Sequence, residues 1–348
     1  MEFEISFENF VYRGEGRSNR VYSFLKDDFW YVLRVPKSYF GEEGSNVSLI
    51  KLTLNVIPDN LVYSANVVEG DWGMMMPDMC YIRENSYKSN YDVMTVELKP
   101  KQGYMSNELQ RLSPYCENCL LQIMKHSSGT YSEMYDFCPM DIYSDNPKRM
   151  ETAIEALLLH PHNNLKIFKN GNLILSNAEN SLHQNKLFCC RQANEVHNLA
   201  EIITKILLYQ RKCSESLTSQ DAEDYDVTLL KQILKLQKKN KLSPFQLSNL
   251  VKEFDNMNTE SWLKHLETMV TPQVNERTAM LDAVIAATCE EFQLDCGCWV
   301  IFRIALIDLD IKSPSKLVHY GNRLLEAIEY TEKNNYLSIR PPCMKRST

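Results

Sequence analysis

The spacing of hydrophobic and polar positions changes character along the chain. Through about residue 80, short β-type runs alternate with turns, in NFVYRGEGRSNRVYSFL, FWYVLRVPK, NLVYSANVV and WGMMMPDM, and helical periodicity is scarce. That pattern predicts a small, mainly antiparallel sheet. The polar run YIRENSYKSNY reads as a linker or loop before the strand MTVELKPK, which puts a lobe boundary near residue 80. Beyond it, apolar residues recur at helical spacing in ENCLLQIMKH, NPKRMETAIEALLLH, ANEVHNLAEIITKILLYQ, TLLKQILKLQKKN, SPFQLSNLVKEF, ESWLKHLETM and NERTAMLDAVIAATCEEF. Ser243 and Pro244 suit a helix cap and first turn. Asn170-Gly171 between two apolar runs marks a tight hairpin in NNLKIFKNGNLIL. SESLTSQDAEDYD is polar and acidic and reads as a surface loop. The chain returns to strand at WVIFRIALIDLDI and closes with a helix over SPSKLVHYGNRLLEAIEYTEKN, and no segment repeats.

With 348 residues and 44% hydrophobic content, the chain can bury one large core or two lobes. Its formal charge of −7 argues against non-specific nucleic-acid binding, so any anion site must be local. The N-terminus MEFEISFENF lacks a basic region followed by an apolar run. No apolar run approaches the ~20 residues of a membrane span. Eleven scattered cysteines then read as small core residues of a reduced, soluble intracellular protein. Cys116 and Cys119, in CENC, have metal-ligand spacing but no second pair, and His183, Cys189, Cys190 and His197 fit no finger pattern. Both groups are read as structural, without zinc.

Several stretches carry chemistry. In VELKPKQG, a strand would place Glu97, Lys99 and Lys101 on one face. In RGEGRSN, glycines between strands let backbone amides approach a polyphosphate, although an ordinary glycine-containing hairpin has the same composition. Arg34 in LRVPK occupies the place where a kinase-like small lobe keeps a cation for nucleotide phosphates; a surface arginine on a half-exposed strand fits equally. Asp308 and Asp310 end an apolar strand and share a face, as carboxylates at a Mg²⁺-phosphate site do. Lys312, Lys316 and Tyr320 follow at four-residue steps and form a stripe if a helix starts there, and solvent-facing cation stripes are common.

Taken in order, RGEGRSN, LRVPK, ELKPK, FCPMDIYS, HNNLKIFKNG, AATCEEFQLDC and IDLDIK make the chain resemble the inositol-pentakisphosphate 2-kinases over nearly its full length. The resemblance implies an α+β, two-lobed protein-kinase-like fold: a small β-rich lobe over 1–80, a hinge over 81–95 and a larger α/β lobe over 96–348. It implies transfer of the γ-phosphate of ATP, with Mg²⁺, to the 2-hydroxyl of inositol 1,3,4,5,6-pentakisphosphate. By similarity, Gly16, Arg17, Ser18, Asn19 and Arg34 would meet the ATP phosphates, Asp78, Met79 and Cys80 the adenine, and Glu97, Lys99 and Lys166 the nucleotide. Lys101, Lys125, Asn163, Lys312, Lys316 and Tyr320 would hold the substrate. Lys101 and Asp308 are the implied catalytic residues, Asp308 also holding Mg²⁺, with Asp295 as candidate base and substrate contact. A focused cationic pocket in a net acidic protein suits a substrate with five phosphates. The expected partner is that substrate, for a monomer of the cytoplasm, with the nucleus as a further compartment, and with no nucleic acid or membrane.

The chain departs from the family in two places: the small lobe is short before WGMMMPD, with no residue assigned to the arginine other members contribute there, and the helix after ELKPK differs. Where family members show Arg-x-x-x-His-x-x-x-Lys on one helix face, it reads Glu117, Leu121 and Lys125. An active 2-kinase, an inositol-phosphate-binding protein of the same fold without efficient catalysis, and a kinase of relaxed specificity therefore all stay open.

Overall fold

The computed structural model describes residues 2–6, 10–15, 19–26, 29–36, 49–56, 63–67, 72–78, 80, 91–134, 136–176, 195–208, 228–239, 288–293, 297, 299–307, 314–338, 340, 342 and 343. Helices and sheets are both present, in an α+β arrangement. The β-type runs near the N-terminus form seven strands: β1 (Glu2–Ser6), β2 (Val11–Glu15), β3 (Asn19–Lys26), β4 (Phe29–Pro36), β5 (Leu49–Val56), β6 (Tyr63–Val67) and β7 (Trp72–Pro77). They make one sheet in the order β1-β5-β6-β7-β4-β3-β2, with antiparallel pairing throughout. Phe24, Leu33 and Val35 point into its core. Across the sheet, Phe24 stacks on Phe10 and Tyr31.

A second sheet has the order β10-β9-β8-β12-β11, with β8 (Asp92–Leu98), β9 (Leu165–Lys169), β10 (Asn172–Leu175), β11 (Thr288–Gln293) and β12 (Trp299–Leu306). Its central strand, β8, buries Met94, Thr95, Val96 and Leu98. Tyr91 stacks on Trp299 at one end and Ile307 N–H donates to the Leu98 carbonyl at the other, so β8 and β12 run parallel. The predicted hairpin is β9–β10, turning at Asn170 (φ +48°) and Gly171 (φ +79°), as a two-residue turn with both φ positive requires.

Two expectations from the sequence are corrected. NERTAMLDAVIAATCEEF predicts helix to its end, but Thr288–Gln293 is the edge strand β11, paired antiparallel with β12 from Thr288↔Ile304 to Gln293↔Trp299. A six-residue ladder outweighs the modest helix preference of two glutamates. The strand MTVELKPK stops at Leu98. Pro100 lacks an N–H and Lys101 is left-handed (φ +59°), so side-chain alternation does not carry through to Lys101.

The helices are α1 (Asn107–Leu112), α2 (Glu117–Ser127), α3 (Pro147–Leu159), α4 (Glu195–Leu208), α5 (Leu229–Lys239) and α6 (Pro314–Lys333). Asn146 caps α3 by accepting from the amides of Lys148 and Arg149, and Pro147 occupies its first turn. The apolar face of α2 packs on α6 in a core that includes Leu109, Tyr115, Leu120, Ile123, Leu324 and Ala327. Among the described residues, no helix is long and apolar enough to cross a membrane. By compactness the chain divides into two units, one of residues 1–96, 168–173 and 287–305, the other of 97–167, 174–286 and 306–348.

Candidate functional site

The ELKPK segment leaves the end of β8 with neighbours on both sides. Lys99 N–H donates to the Asn164 carbonyl at 2.8 Å, and Ile307 N–H donates to the Leu98 carbonyl at 2.9 Å. Three stretches far apart in sequence, ELKPK, HNNLK and the one entering IDLDIK, therefore meet at one strand end. Glu97, Lys99, Lys101 and Lys166 are half-buried there and Asn163 is exposed. Buried Leu165 and Ile167 in β9 leave Lys166 on the opposite face.

The loop after Lys99 is fastened by side chains from elsewhere. The Lys101 carbonyl accepts from Tyr143 Oη and from Gln237 Nε2, both at 2.8 Å. Gln237 Oε1 accepts from the Gly103 amide at 2.9 Å, and Tyr104 Oη donates to the Gln237 carbonyl at 3.2 Å. Gly103 lies against the Tyr143 ring, where an added Cβ would come 2.6–2.8 Å from three ring carbons. Tyr143 ends the 3-10 turn Pro139–Tyr143 of FCPMDIYS. That turn is held by buried Asp141, which accepts from the Cys138 amide at 3.1 Å and from Arg149 Nε at 2.7 Å. Burial pushes the Tyr143 phenol above its ordinary range, so it stays a donor to Lys101.

α2 supplies the next wall. At its C-terminal end, Lys125 Nζ donates to Tyr131 Oη at 3.2 Å and lies 4.9 Å from that ring's centre. The Tyr131 ring lies 4.4 Å from that of His162, tilted by 42°, next to Asn163, so Lys125 belongs to the network of the HNNLK turn. Burial pushes His162 below its ordinary range, helped by His160 and Lys125 and opposed by Glu133. At the N-terminal end, Asn118 Nδ2 donates to the Gln102 carbonyl at 3.0 Å, tying the helix to the Lys101 loop.

The two family departures fall at different depths on this helix. Glu117 is 6% exposed, and burial pushes its carboxyl up to about 7, opposed by a hydrogen bond to Gln102. It is therefore near half-protonation at neutral pH, and its Oε1 has no hydrogen-bond partner among the described residues. Leu121 packs against the apolar core.

In the N-terminal sheet, Asp78 is buried with its carboxylate turned inward. It accepts from Ser23 Oγ and from the Cys80 amide at 2.9 Å, with Arg13 Nη2 at 3.8 Å. Arg34 and Asn19 lie on paired strands, β4 and β3, but their side chains lie outside the described set. Gly16, Arg17, Ser18, Met79, Asp295, Asp308 and Lys312 lie outside the described residues. α6 begins at Pro314, so only Lys316 and Tyr320 of the expected stripe are helical, and Tyr320 is exposed.

The two cysteines of CENC, read as structural, sit in a larger buried group. Cys116 and Cys119 are joined by Cys138 and Cys343, all buried, with the four Sγ atoms within 4.8 Å of one another. The partners of CENC come from distant single cysteines, which pair-wise spacing cannot reveal. A second group, Glu151, Glu155 and His197, is half-exposed and already holds a cation, Lys148 Nζ, 2.7 Å from Glu151. The structure also brings in Tyr143, Gln237, Gly103 and Asn164, which sequence reasoning passed over. FCPMDIYS gave a signal for Tyr143, whereas nothing in α5 marked Gln237.

Comparison with known proteins agrees with the convergence at β8. Residues 60–323 match the family model of inositol-pentakisphosphate 2-kinase. An inositol-pentakisphosphate 2-kinase of Danio rerio is 32% identical over 116 residues, 32% of this chain and 24% of its own length. One of Drosophila melanogaster is 31% identical over 126 residues, 28% of this chain and 20% of its own. One of Oryza sativa subsp. indica is 22% identical over 351 aligned residues, 89% of this chain and 74% of its own. The chain thus spans about a quarter or less of the first two relatives' length and about three quarters of the third. With 60–323 matched and the ELKPK and HNNLK segments brought together with Ile307 at one strand end, this chain belongs to the inositol-pentakisphosphate 2-kinase family.

Proposed function

We propose that the chain is an ATP-dependent kinase that phosphorylates the 2-hydroxyl of inositol 1,3,4,5,6-pentakisphosphate to give the hexakisphosphate. The observation that carries this is the pair of hydrogen bonds flanking the end of β8, Lys99 to Asn164 and Ile307 to Leu98. They gather lysines, a carboxylate and a polar amide of the ELKPK and HNNLK segments, with Ile307 alongside, which is what in-line phosphoryl transfer asks of a protein. In this reading the seven-stranded sheet forms a small lobe over 1–80, 81–95 links it to a larger lobe over 96–348, and the fold is protein-kinase-like. We assign the cytoplasm as its compartment.

Gly16, Arg17, Ser18, Asn19 and Arg34 then lie over the nucleotide phosphates and the Asp78–Cys80 backbone meets the base. Glu97, Lys99 and Lys166 orient the nucleotide. Lys101, held by Tyr143 and Gln237, Lys125, held by Tyr131, and Asn163 grip substrate phosphates, with Lys312, Lys316 and Tyr320 closing the pocket. Asp295 takes the proton of the reacting hydroxyl as the new O–P bond forms and the bond from the γ-phosphorus to the departing ADP breaks. Hard oxygen donors suit Mg²⁺: Asp308, which follows Ile307 in the sequence, would hold it, and Glu97, next to Leu98, is half-buried. Bound Mg²⁺ would neutralise phosphate charge as it develops.

A second reading rests on α2. With Leu121 in the core and Glu117 buried, Lys125 is the sole cation of that family triplet, which suits a substrate with fewer phosphates or a binding role. The deciding experiment incubates purified protein with Mg-ATP and inositol tetrakis- or pentakisphosphates and resolves the products by anion-exchange chromatography. Hexakisphosphate formed fastest from the pentakisphosphate supports the first reading. Faster turnover of tetrakisphosphates, or calorimetric binding with no turnover, overturns it.

A further inference from the structure

The loop that carries Lys101 rests on the start of α2 at Gln102. Asn118 Nδ2 donates to the Gln102 carbonyl at 3.0 Å. The Gln102 side chain meets the Glu117 carboxyl, and its Nε2 donates to the Tyr104 carbonyl at 3.1 Å. Two consecutive residues of one helix thus grip the backbone and the side chain of the residue that follows Lys101. Glu117 itself is 6% exposed, and its Oε1 has no hydrogen-bond partner among the described residues. We propose that Glu117 is a proton-linked positioning residue, which takes up a proton as an inositol polyphosphate binds at Lys101 and so couples affinity for the anion to pH. The inference rests on the reading of Lys101 as a phosphate contact.

Geometry is the first support. A buried carboxylate oxygen without a donor is costly, and a proton on the carboxyl relieves that cost. At Oε1 protonation breaks no bond, and the neutral acid keeps acceptor capacity for Gln102. Gln102 adjoins Lys101 in the chain and touches Glu117. An anion held by Lys101 therefore brings several negative charges toward a carboxyl that water screens poorly.

The charges around Glu117 are the second support. Burial holds its carboxyl up at about 7, opposed by the Gln102 hydrogen bond, so roughly half of the molecules carry its charge at neutral pH. From the loop, the other titratable group is the Tyr104 phenol, pushed up by burial and then by the charges of Glu117 and of Glu108 on α1. α5 brings the neutral Gln237, whose carbonyl accepts from Tyr104 Oη at 3.2 Å. α6 packs along α2, but among the described residues no cation pairs with Glu117. Only the Gln102 hydrogen bond favours the ionised form, and an arriving polyanion tips the balance toward the acid. A group whose proton affinity rises on binding takes up protons. Binding is then strongest below pH 7 and weakens as pH rises through that value.

The test is calorimetric titration of the full chain with inositol 1,3,4,5,6-pentakisphosphate, without ATP, in buffers of different ionisation enthalpy at one pH. The buffer dependence gives the protons taken up per ligand bound. Subtracting the value for Glu117→Gln cancels the titration of the ligand's own phosphates. At pH 7 the wild type should take up about 0.3–0.5 proton more than the variant. Between pH 6.5 and 8 its affinity should fall about two- to eightfold further than the variant's. A carboxyl that merely supported the fold would change the variant's stability but not this difference. Infrared difference spectra of the wild type should gain a protonated-carboxyl band on binding, a readout that needs no variant to fold. Binding with equal proton uptake in both proteins, or without that band, overturns the inference alone. A wild type that does not bind the pentakisphosphate overturns the reading of Lys101, and the inference with it.

Discussion

Gln237 gives the sharpest test of how the Lys101 loop is held. Its side-chain amide donates to the Lys101 carbonyl at 2.8 Å and accepts from the Gly103 amide at 2.9 Å, spanning the loop like a strut. Replacing it with leucine keeps the bulk and removes both bonds. Each is worth roughly 1 kcal/mol net, so the loop should lose about 2 kcal/mol against local opening, raising the open population about 30-fold. The left-handed Lys101 adds to the effect, since a non-glycine residue there holds its conformation only while its surroundings enforce it. Amide hydrogen exchange followed by mass spectrometry reads the opening directly, in peptides covering residues 100–106. Kinetics with the inositol polyphosphate should show a raised KM, because the loop that carries Lys101 must then be ordered on binding. Exchange at Gly103 unchanged from wild type would refute the strut, whatever happened to activity.

Other outcomes follow from the same region. The Glu117 carboxyl is pushed from 4.5 up to about 7 by burial, so the folded state binds its proton more tightly than the unfolded state does. That stability is fully present below pH 4.5 and is lost as pH rises to about 7, a fall on the order of 3 kcal/mol. Glu117→Gln should flatten the pH dependence of denaturant unfolding over that window, and an identical slope in both proteins would contradict the assignment. Gly103→Ala, forced against the Tyr143 ring, should lower stability by about 1–3 kcal/mol, read as a shift in unfolding midpoint; an unchanged midpoint would mean the ring moves away freely. Asn170→Ala loses the acceptor for Val93 N–H (2.8 Å) and puts alanine at φ +48°, and should cost about 1–2 kcal/mol in the same assay. Lys101→Ala should reduce product formation by at least about tenfold with the unfolding curve unchanged, and undiminished turnover would remove it from the site.

What the sequence made legible followed the range of the interactions. The N-terminal antiparallel sheet, the β9–β10 hairpin and most helices could be read because their causes are local: alternation, an Asn-Gly turn, apolar positions three and four apart. Thr288–Gln293 was misread because TCEEFQ is a strand only by virtue of pairing with Trp299–Leu306. The cysteine cluster was missed for the same reason on a larger scale, its fourth cysteine lying 227 positions from its first. At the site, ELKPK and HNNLK were legible as motifs. Gln237, which holds the first of them, was not, because a glutamine on an amphipathic helix has no local mark of its task.

The same distinction explains how a helix that departs from its family can still serve the site. Glu117 occupies the first turn of α2, where a carboxylate is favoured by the helix dipole while burial raises its proton affinity. These opposed effects leave it only part-ionised at neutral pH, so it repels a polyphosphate less than a fixed anion would. Leu121, one turn on, adds to the apolar core instead of reaching for a ligand. Lys125, a further turn on, keeps its cation against Tyr131, whose ring lies beside His162 and so near Asn163. The direction in which that lysine points is set by where the helix begins. That beginning is fixed by Cys116 and Cys119 among the thiols and by Asn118 on the Gln102 carbonyl. A helix anchored so firmly at one end can change two residues of its face while still presenting the third, and the anchoring cluster belongs to the phosphate site's geometry although it touches no phosphate.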